Sequence, residues 1–179
     1  FTTARHCMVP MECRGVVADW NAGKQQLTVY TSTQVPHLIR RALAECFDLR
    51  QQQVRVVAPD VGGGFGLKLV LQPEEVSVCW LSMQLRRPVR WIEDRREHLI
   101  VGANAREHDY GVRAFADKDG RLRGLDVSID VNAGAYSAWP FTSCFEAAQA
   151  GASFPGPYRM DHYHATTRTL MSNKPPLQP

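Results

Sequence analysis

The stretch Asp60–Lys68 reads DVGGGFGLK, a run of glycines interrupted by one aromatic side chain. An apolar run typical of a strand, Val54–Ala58, precedes it, and a helical pattern begins near Pro73. Glycine has no Cβ and adopts positive φ readily, so the backbone N–H groups of such a turn can approach a ligand closely. The aromatic Phe65 favours a ligand larger than a bare phosphate. The sequence therefore predicts a ligand-binding turn between a strand and a helix.

Two phosphate-binding motifs fit this turn poorly. A P-loop needs Ser or Thr directly after its lysine, and here Leu69 follows Lys68. A dinucleotide-binding fingerprint needs a third small residue, and Leu67 stands in that place. A glycine turn without any ligand and a nucleotide-binding module both remain alternatives on spacing alone.

Alternating apolar residues and turn signals predict two hairpins. In the first, Gly15–Trp20 and Gln26–Tyr30 flank a link rich in turn-forming residues. In the second, Arg113–Ala116 and Leu122–Asp130 flank an Asp-Lys-Asp-Gly turn.

Helical spacing of apolar residues appears in two stretches, Pro36–Phe47 and Glu74–Leu85. We expect Cys46 of the first stretch to be buried as a small hydrophobic residue. In the second stretch, an apolar stripe that includes Cys79 and Trp80 is expected to face the core.

Together these elements predict an α+β fold in which helices pack against a mixed or antiparallel sheet. The chain has 179 residues, enough for one core, so we expect residues 1–179 to form part of a single domain. The first residue is Phe1 and not Met, which suggests a fragment of a larger protein.

Charge and cysteine content exclude several functional classes. The net charge is +3 and the basic residues are interspersed with acids, so no nucleic-acid partner is expected. No apolar run reaches the roughly 20 residues of a membrane span, so no membrane partner is expected. The cysteines number 5 and are not clustered, which indicates neither disulfides nor a metal cluster and favours the reducing cytoplasm. His162 and His164 share a strand face without further ligands, so we expect no metal site there.

Several motifs follow one another along almost the whole chain: Arg5–Gly15, Ser32–His37, Pro59–Lys68, Arg87–Glu97 and Asn132–Tyr136. In this order they resemble the molybdopterin-binding large subunits of the molybdenum hydroxylases, the family of xanthine dehydrogenase, aldehyde oxidase and carbon monoxide dehydrogenase. The resemblance implies a bound molybdenum–molybdopterin cofactor, in a dinucleotide form.

The resemblance also implies roles for individual residues. Gln34, in the Ser-Thr-Gln motif, would direct its side-chain amide at an oxygen ligand of molybdenum. Phe65 would place its backbone amide beside the terminal ligand of the metal, with Gly63, Gly64 and Gly66 lining the pterin side. A fixed N–H dipole suits this task because it stabilises negative charge without a titratable group. No side chain of this chain is expected to coordinate the metal.

The implied reaction is hydroxylation of an electrophilic carbon with oxygen from water, in which the cofactor carries the redox step. An iron–sulfur protein or domain, an FAD protein or domain and the remainder of the large subunit are the implied partners. The general-base glutamate of the family lies beyond the C-terminus, so no catalytic residue is expected here. Purine-oxidising members of the family carry Glu at the position of Leu69. They also carry an Arg in the segment that matches residues 137–156, which contain no Arg in this chain. An aldehyde or a (hetero)aromatic substrate is therefore expected.

Overall fold

The computed structural model describes residues 1–141 and 144–177, and the chain divides into two compact units. One unit comprises Cys7–Gly102, and the other comprises Phe1–His6 together with Ala103–Pro179. Both contain helices and strands, so the predicted α+β class is confirmed. The assignment of residues 1–179 to one partial domain stays a prediction.

In chain order the described residues form β1 (Arg5–Cys7), β2 (Gly15–Asn21), β3 (Gln26–Thr31), α1 (Pro36–Cys46), β4 (Val54–Val57), α2 (Pro73–Leu85), β5 (Val89–Ile92), α3 (Arg95–Val101), β6 (Asn104–Arg106), β7 (His108–Ala116), β8 (Leu122–Gly134), α4 (Phe145–Ser153) and β9 (His162–Met171). Short 3-10 turns occupy Gln51–Gln53 and Leu67–Leu69. Among these residues, no helix is both long enough and apolar enough to cross a membrane.

The unit Cys7–Gly102 is built on a four-stranded sheet with the order β4-β3-β2-β5. Strand β2 pairs antiparallel with β3, as the first hairpin predicted, and also with β5. Strand β4 pairs parallel to β3, with Tyr30 opposite Val57 near the carboxyl ends of both strands. Because parallel strands end at the same edge of a sheet, the turns that follow β3 and β4 start side by side.

Helices α1 and α2 cover the core of this unit, which is formed by alternate residues of β2 and β3 and by residues of both helices. Two predictions about these helices were wrong. Trp80 is 52% exposed and Cys46 is also exposed, whereas Cys79 is buried as expected. The buried face of α2 includes the polar residues Glu75 and Ser82, which bond to neighbouring strands, so an apolar stripe could not locate that face.

The second unit contains a three-stranded sheet with the order β7-β8-β9. Strands β7 and β8 form the second predicted hairpin, while β9 adds parallel to β8. Helix α4 packs on one face, where Val127, Ile129 and Val131 are buried together with Ala147. On the opposite, solvent-facing side, Nδ1 of His164 donates a 2.9 Å hydrogen bond to the carboxylate of Asp126.

Candidate cofactor site

Two turns meet at the carboxyl edge of the four-stranded sheet. The first follows β3 and carries Gln34, and the second follows β4 and carries the glycine loop. The side-chain oxygen Oε1 of Gln34 accepts a hydrogen bond from the N–H of Gly66 at 3.1 Å. The backbone N–H of Gln34 donates to the carbonyl oxygen of Lys68 at 2.8 Å. The structure thus brings the two predicted parts of the site into direct contact.

The backbone of the loop adopts conformations that favour glycine. Gly63 and Gly66 have φ values of +98° and +90°, and Phe65 has a φ of +52°. A positive φ is uncommon outside glycine, which marks the conformation of Phe65 as one imposed by its surroundings. The side chain of Phe65 is 68% exposed, so burial of the ring does not explain this conformation.

Gly64 lies directly against the side chain of Gln34. A Cβ placed on Gly64 would be 2.3 Å from Oε1 of Gln34 and 2.4 Å from its Cδ, closer than non-bonded atoms approach. The absence of a side chain at residue 64 therefore allows the loop to pass over the carboxamide of Gln34.

The site presents hydrogen-bond donors. Because Oε1 of Gln34 accepts from Gly66, the network assigns the other end of the carboxamide, Nε2, to the outward-facing side. Within residues 1–141 and 144–177, neither Nε2 of Gln34 nor the backbone N–H of Phe65 has a hydrogen-bond acceptor. Two such donors suit an electron-rich group with several acceptor atoms. A groove of about 420 Å³ is lined by Ser32 and Pro59 at the starts of the two turns, but neither Gln34 nor Phe65 belongs to its lining.

A buried ionic cluster supports the segment that leads to this site. Arg14 pairs with Glu93 at 2.6 Å, and Nδ1 of His98 lies 3.2 Å from the same carboxylate. Burial raises the pKa of Glu93, but hydrogen bonds from the side chain and backbone of Arg14 outweigh it and leave that pKa below its usual range. The carboxylate therefore stays charged and fixes Arg14 next to the start of β2.

Two further residues, Lys68 and Glu12, support the loop, although neither was predicted to belong to the site. Lys68 is 2% exposed, and its ammonium group contacts the carboxylate of Glu12. In the sequence, Lys68 was considered only as the lysine of a P-loop, which the residue after it rules out. Lysine side chains are usually exposed, so the residue type did not predict that this one is buried.

The molybdopterin cofactor-binding domain family matches this chain over residues 1–179. The large subunit of nicotine 6-hydroxylase from Paenarthrobacter nicotinovorans is 34% identical over 97% of this chain, which covers 21% of that subunit. The large chain of carbon monoxide dehydrogenase from Hydrogenophaga pseudoflava is 34% identical over 93% of this chain, again 21% of the relative.

Solved structures show the same similarity. The crystal structure of quinoline 2-oxidoreductase from Pseudomonas putida 86 superposes with a TM-score of 0.93 and 36% identity, over 99% of this chain and 23% of that one. Reconstituted CO dehydrogenase from Oligotropha carboxidovorans gives a TM-score of 0.90 at 30% identity, over 99% of this chain and 22% of that one. The chain spans about a fifth of the length of the relatives it matches. The predicted family is confirmed: the chain belongs to the molybdopterin cofactor-binding domain family of molybdenum hydroxylase large subunits.

Proposed function

We propose that the full-length protein is a molybdopterin-dependent hydroxylase and that this chain supplies one wall of its cofactor site. The observation that carries the proposal is the contact between Gln34 and the glycine loop, next to which Nε2 of Gln34 and the N–H of Phe65 have no acceptor among the described residues. The family match supports molybdopterin as the group that meets these donors. The donor chemistry fits, since the oxygen and sulfur ligands of molybdenum are electron-rich acceptors.

In this proposal the residues of the chain bind and orient. Nε2 of Gln34 and the N–H of Phe65 would donate hydrogen bonds to the ligand atoms of the metal, and Gly63, Gly64 and Gly66 would line the pterin side. A backbone N–H does not titrate, so these donors stay in place across the working pH range. When bound, the cofactor supplies the two-electron redox chemistry by which a substrate carbon gains oxygen from water. This proposal assigns no base to the described residues, and the family resemblance gives that role to a glutamate elsewhere in the subunit.

The substrate class follows from what the chain lacks. By the family resemblance, Leu69 stands where purine-oxidising members carry a glutamate that binds the purine, and residues 137–156 lack the arginine that those members have. Burying the polar edge of a purine against apolar side chains would leave its hydrogen-bonding groups unpaired, which is costly. We therefore propose an aldehyde or a (hetero)aromatic substrate.

The partners are proposed on the same basis. Electrons leave through an iron–sulfur subunit or domain and then an FAD subunit or domain, and the cofactor is a dinucleotide form. Relatives are named as subunits of larger assemblies, such as subunit gamma of the 6-hydroxypseudooxynicotine dehydrogenase complex. Cys7, Cys13, Cys46 and Cys79 carry free thiols, which supports a reducing, cytoplasmic location.

The test is to purify the full-length subunit with its co-expressed partners and to measure molybdenum, pterin and substrate-dependent dye reduction. We expect stoichiometric cofactor and reduction with benzaldehyde or quinoline, and little with hypoxanthine. Gln34→Ala should lower cofactor content, whereas Gln52→Ala, a change at an exposed glutamine, should not. A loaded protein that reduces no dye with any of these compounds would indicate a non-catalytic binding module. Saturable nucleotide binding without molybdenum would indicate the nucleotide-binding alternative.

A further inference from the structure

Lys68 is a buried charge directly beneath the glycine loop. Its side chain is 0% exposed and lies at the 3-10 turn Leu67–Leu69, which closes the loop. Its Nζ donates to the carboxylate of Glu12 at 2.6 Å and to the carbonyl oxygen of the same residue at 3.0 Å. Removing a lysine from water is costly unless it is paired, so Lys68 strongly fixes the position of Glu12.

Glu12 transmits this constraint to the start of the loop. Its carboxylate accepts the N–H of Gly62 at 2.9 Å, and its own N–H donates to the carbonyl of Gly62 at 3.1 Å. The two backbones lie so close that a Cβ on Gly62 would be 2.5 Å from the Cβ of Glu12. Burial raises the pKa of Glu12, but hydrogen bonds from Lys68 and Gly62 leave it below its usual range, so the carboxylate remains charged.

The backbone of Lys68 holds the other turn. Its carbonyl oxygen accepts the N–H of Gln34 at 2.8 Å and the hydroxyl of Thr33 at 3.2 Å. The same hydroxyl accepts the N–H of Val35 at 3.1 Å, which fixes the turn before α1. The side chain of Lys68 is thus bonded to Glu12, which holds the start of the loop. Its backbone carbonyl is bonded to Gln34, which carries the carboxamide.

We propose that Lys68 is a positioning residue, which through Glu12 and Gln34 holds the two turns in the geometry that retains the cofactor. This inference rests on the proposed function. Lys68 contacts no cofactor atom in this proposal and acts only through its two neighbours. Its charge is the essential property, because an uncharged side chain of similar length would leave Glu12 without its buried partner.

The test uses the full-length subunit, purified with its co-expressed partners. Lys68→Met keeps the apolar stem and removes the charge, and Lys24→Met is the matched control at an exposed lysine of the same unit. The readouts are molybdenum and pterin per folded subunit and the rate of pterin release after dilution. We expect Lys68→Met to release pterin about tenfold faster than wild type, the change expected for one lost charge-assisted hydrogen bond. Lys24→Met should match wild type.

Further variants separate positioning from a general loss of stability. Lys68→Arg keeps the charge and should restore part of the slow release. Lys68→Met acts at the start of the loop, through Glu12 and Gly62, and Gln34→Ala acts at its end, through Gly66. Since both changes loosen the same loop, the double variant should release pterin more slowly than the product of the two single effects predicts. Independent, multiplicative effects would contradict action of Lys68 through the loop. If Lys68→Met yields no folded subunit, Glu12→Gln decides, because it preserves shape and removes the charge.

The outcomes distinguish the two proposals. A wild-type subunit without molybdenum or pterin overturns the proposed function and this inference with it. A loaded wild-type subunit whose pterin release is unchanged by Lys68→Met overturns only the role of Lys68. If Lys68→Met does not fold, an unchanged rate of pterin release from Glu12→Gln likewise overturns only the role of Lys68.

Discussion

Replacing Gly64 with alanine should displace the side chain of Gln34 while leaving the fold intact. The added Cβ would lie 2.3 Å from Oε1 and 2.7 Å from Cγ of Gln34, and this flexible side chain is what must move. Gly64 does not have a positive φ, so alanine brings no backbone strain. The movement breaks the 3.1 Å hydrogen bond between Oε1 and the buried N–H of Gly66.

The magnitude follows from these contacts. Leaving the N–H of Gly66 unpaired costs about 1–3 kcal/mol, and the lower entropy of alanine in the unfolded chain offsets about 0.4–1 kcal/mol. The free energy of unfolding should therefore fall by about 1 kcal/mol and by no more than about 3 kcal/mol. Loss of the carboxamide donor to a charged ligand atom, worth about 1.5–3 kcal/mol, should weaken cofactor binding by about tenfold to a hundredfold.

The assay compares pterin release and thermal unfolding of the full-length subunit for Gly64→Ala and for Gly23→Ala. Gly23 is a fair control because a Cβ there meets only a side-chain oxygen at 3.5 Å, an ordinary contact. Combining Gly64→Ala with Gln34→Ala removes the clash, so the double variant should behave as Gln34→Ala alone. Wild-type pterin release from Gly64→Ala would show that Gln34 is not displaced, and a double variant that releases pterin much faster than Gln34→Ala would show that the alanine acts elsewhere.

Three further results are expected. Glu93→Ala should lower the free energy of unfolding by about 3 kcal/mol or more, measured by urea denaturation, because it leaves the buried Arg14 without its closest partner. Burial raises the pKa of Cys79 to about 12, so maleimide labelling followed by mass spectrometry at pH 8 should modify the exposed Cys46 and leave Cys79 intact. Although burial raises the pKa of Glu12, hydrogen bonds from the neighbouring ammonium and a backbone N–H lower it overall. The charged form of Glu12 is thus favoured on folding, so its stabilisation is fully present above the unfolded value of 4.5 and is lost as pH falls through the lower folded pKa. Urea denaturation of wild type and Glu12→Gln should show a constant difference above pH 4.5 that shrinks below it, whereas a difference that grows below that pH would contradict the assignment.

Most elements of the fold were predicted from local sequence patterns. Turn-forming residues and the alternation of apolar and polar residues each determine the structure of only a few neighbouring residues. The hairpin of β2 and β3 needs only such signals, and its structure follows them. The parallel pairing of β3 and β4 joins two strands that are separated in the chain by helix α1. The sequence of neither strand indicates which strand it pairs with. That pairing brings Gln34 to the glycine loop. The contact between these two parts of the site was therefore predicted from the family resemblance and not from local sequence patterns.

Burial was the property that the sequence predicted least well. Trp80 and Cys46 were assigned to the core by their apolar character, yet both are exposed. The buried face of α2 includes polar residues in place of Trp80, whereas Cys46 is the last residue of α1. Lys68 shows the reverse, a charged side chain that is buried because Glu12, far away in sequence, supplies its partner. Such long-range pairs are set by the three-dimensional arrangement and leave no periodic signal in the chain.

The most direct measurement is an experimental structure of the full-length subunit loaded with its cofactor. Nε2 of Gln34 and the backbone N–H of Phe65 should both lie within hydrogen-bonding distance of ligand atoms on molybdenum, with the contact between Gln34 and Gly66 retained. A cofactor bound elsewhere in the subunit, with both donors facing solvent or another protein segment, would contradict this prediction.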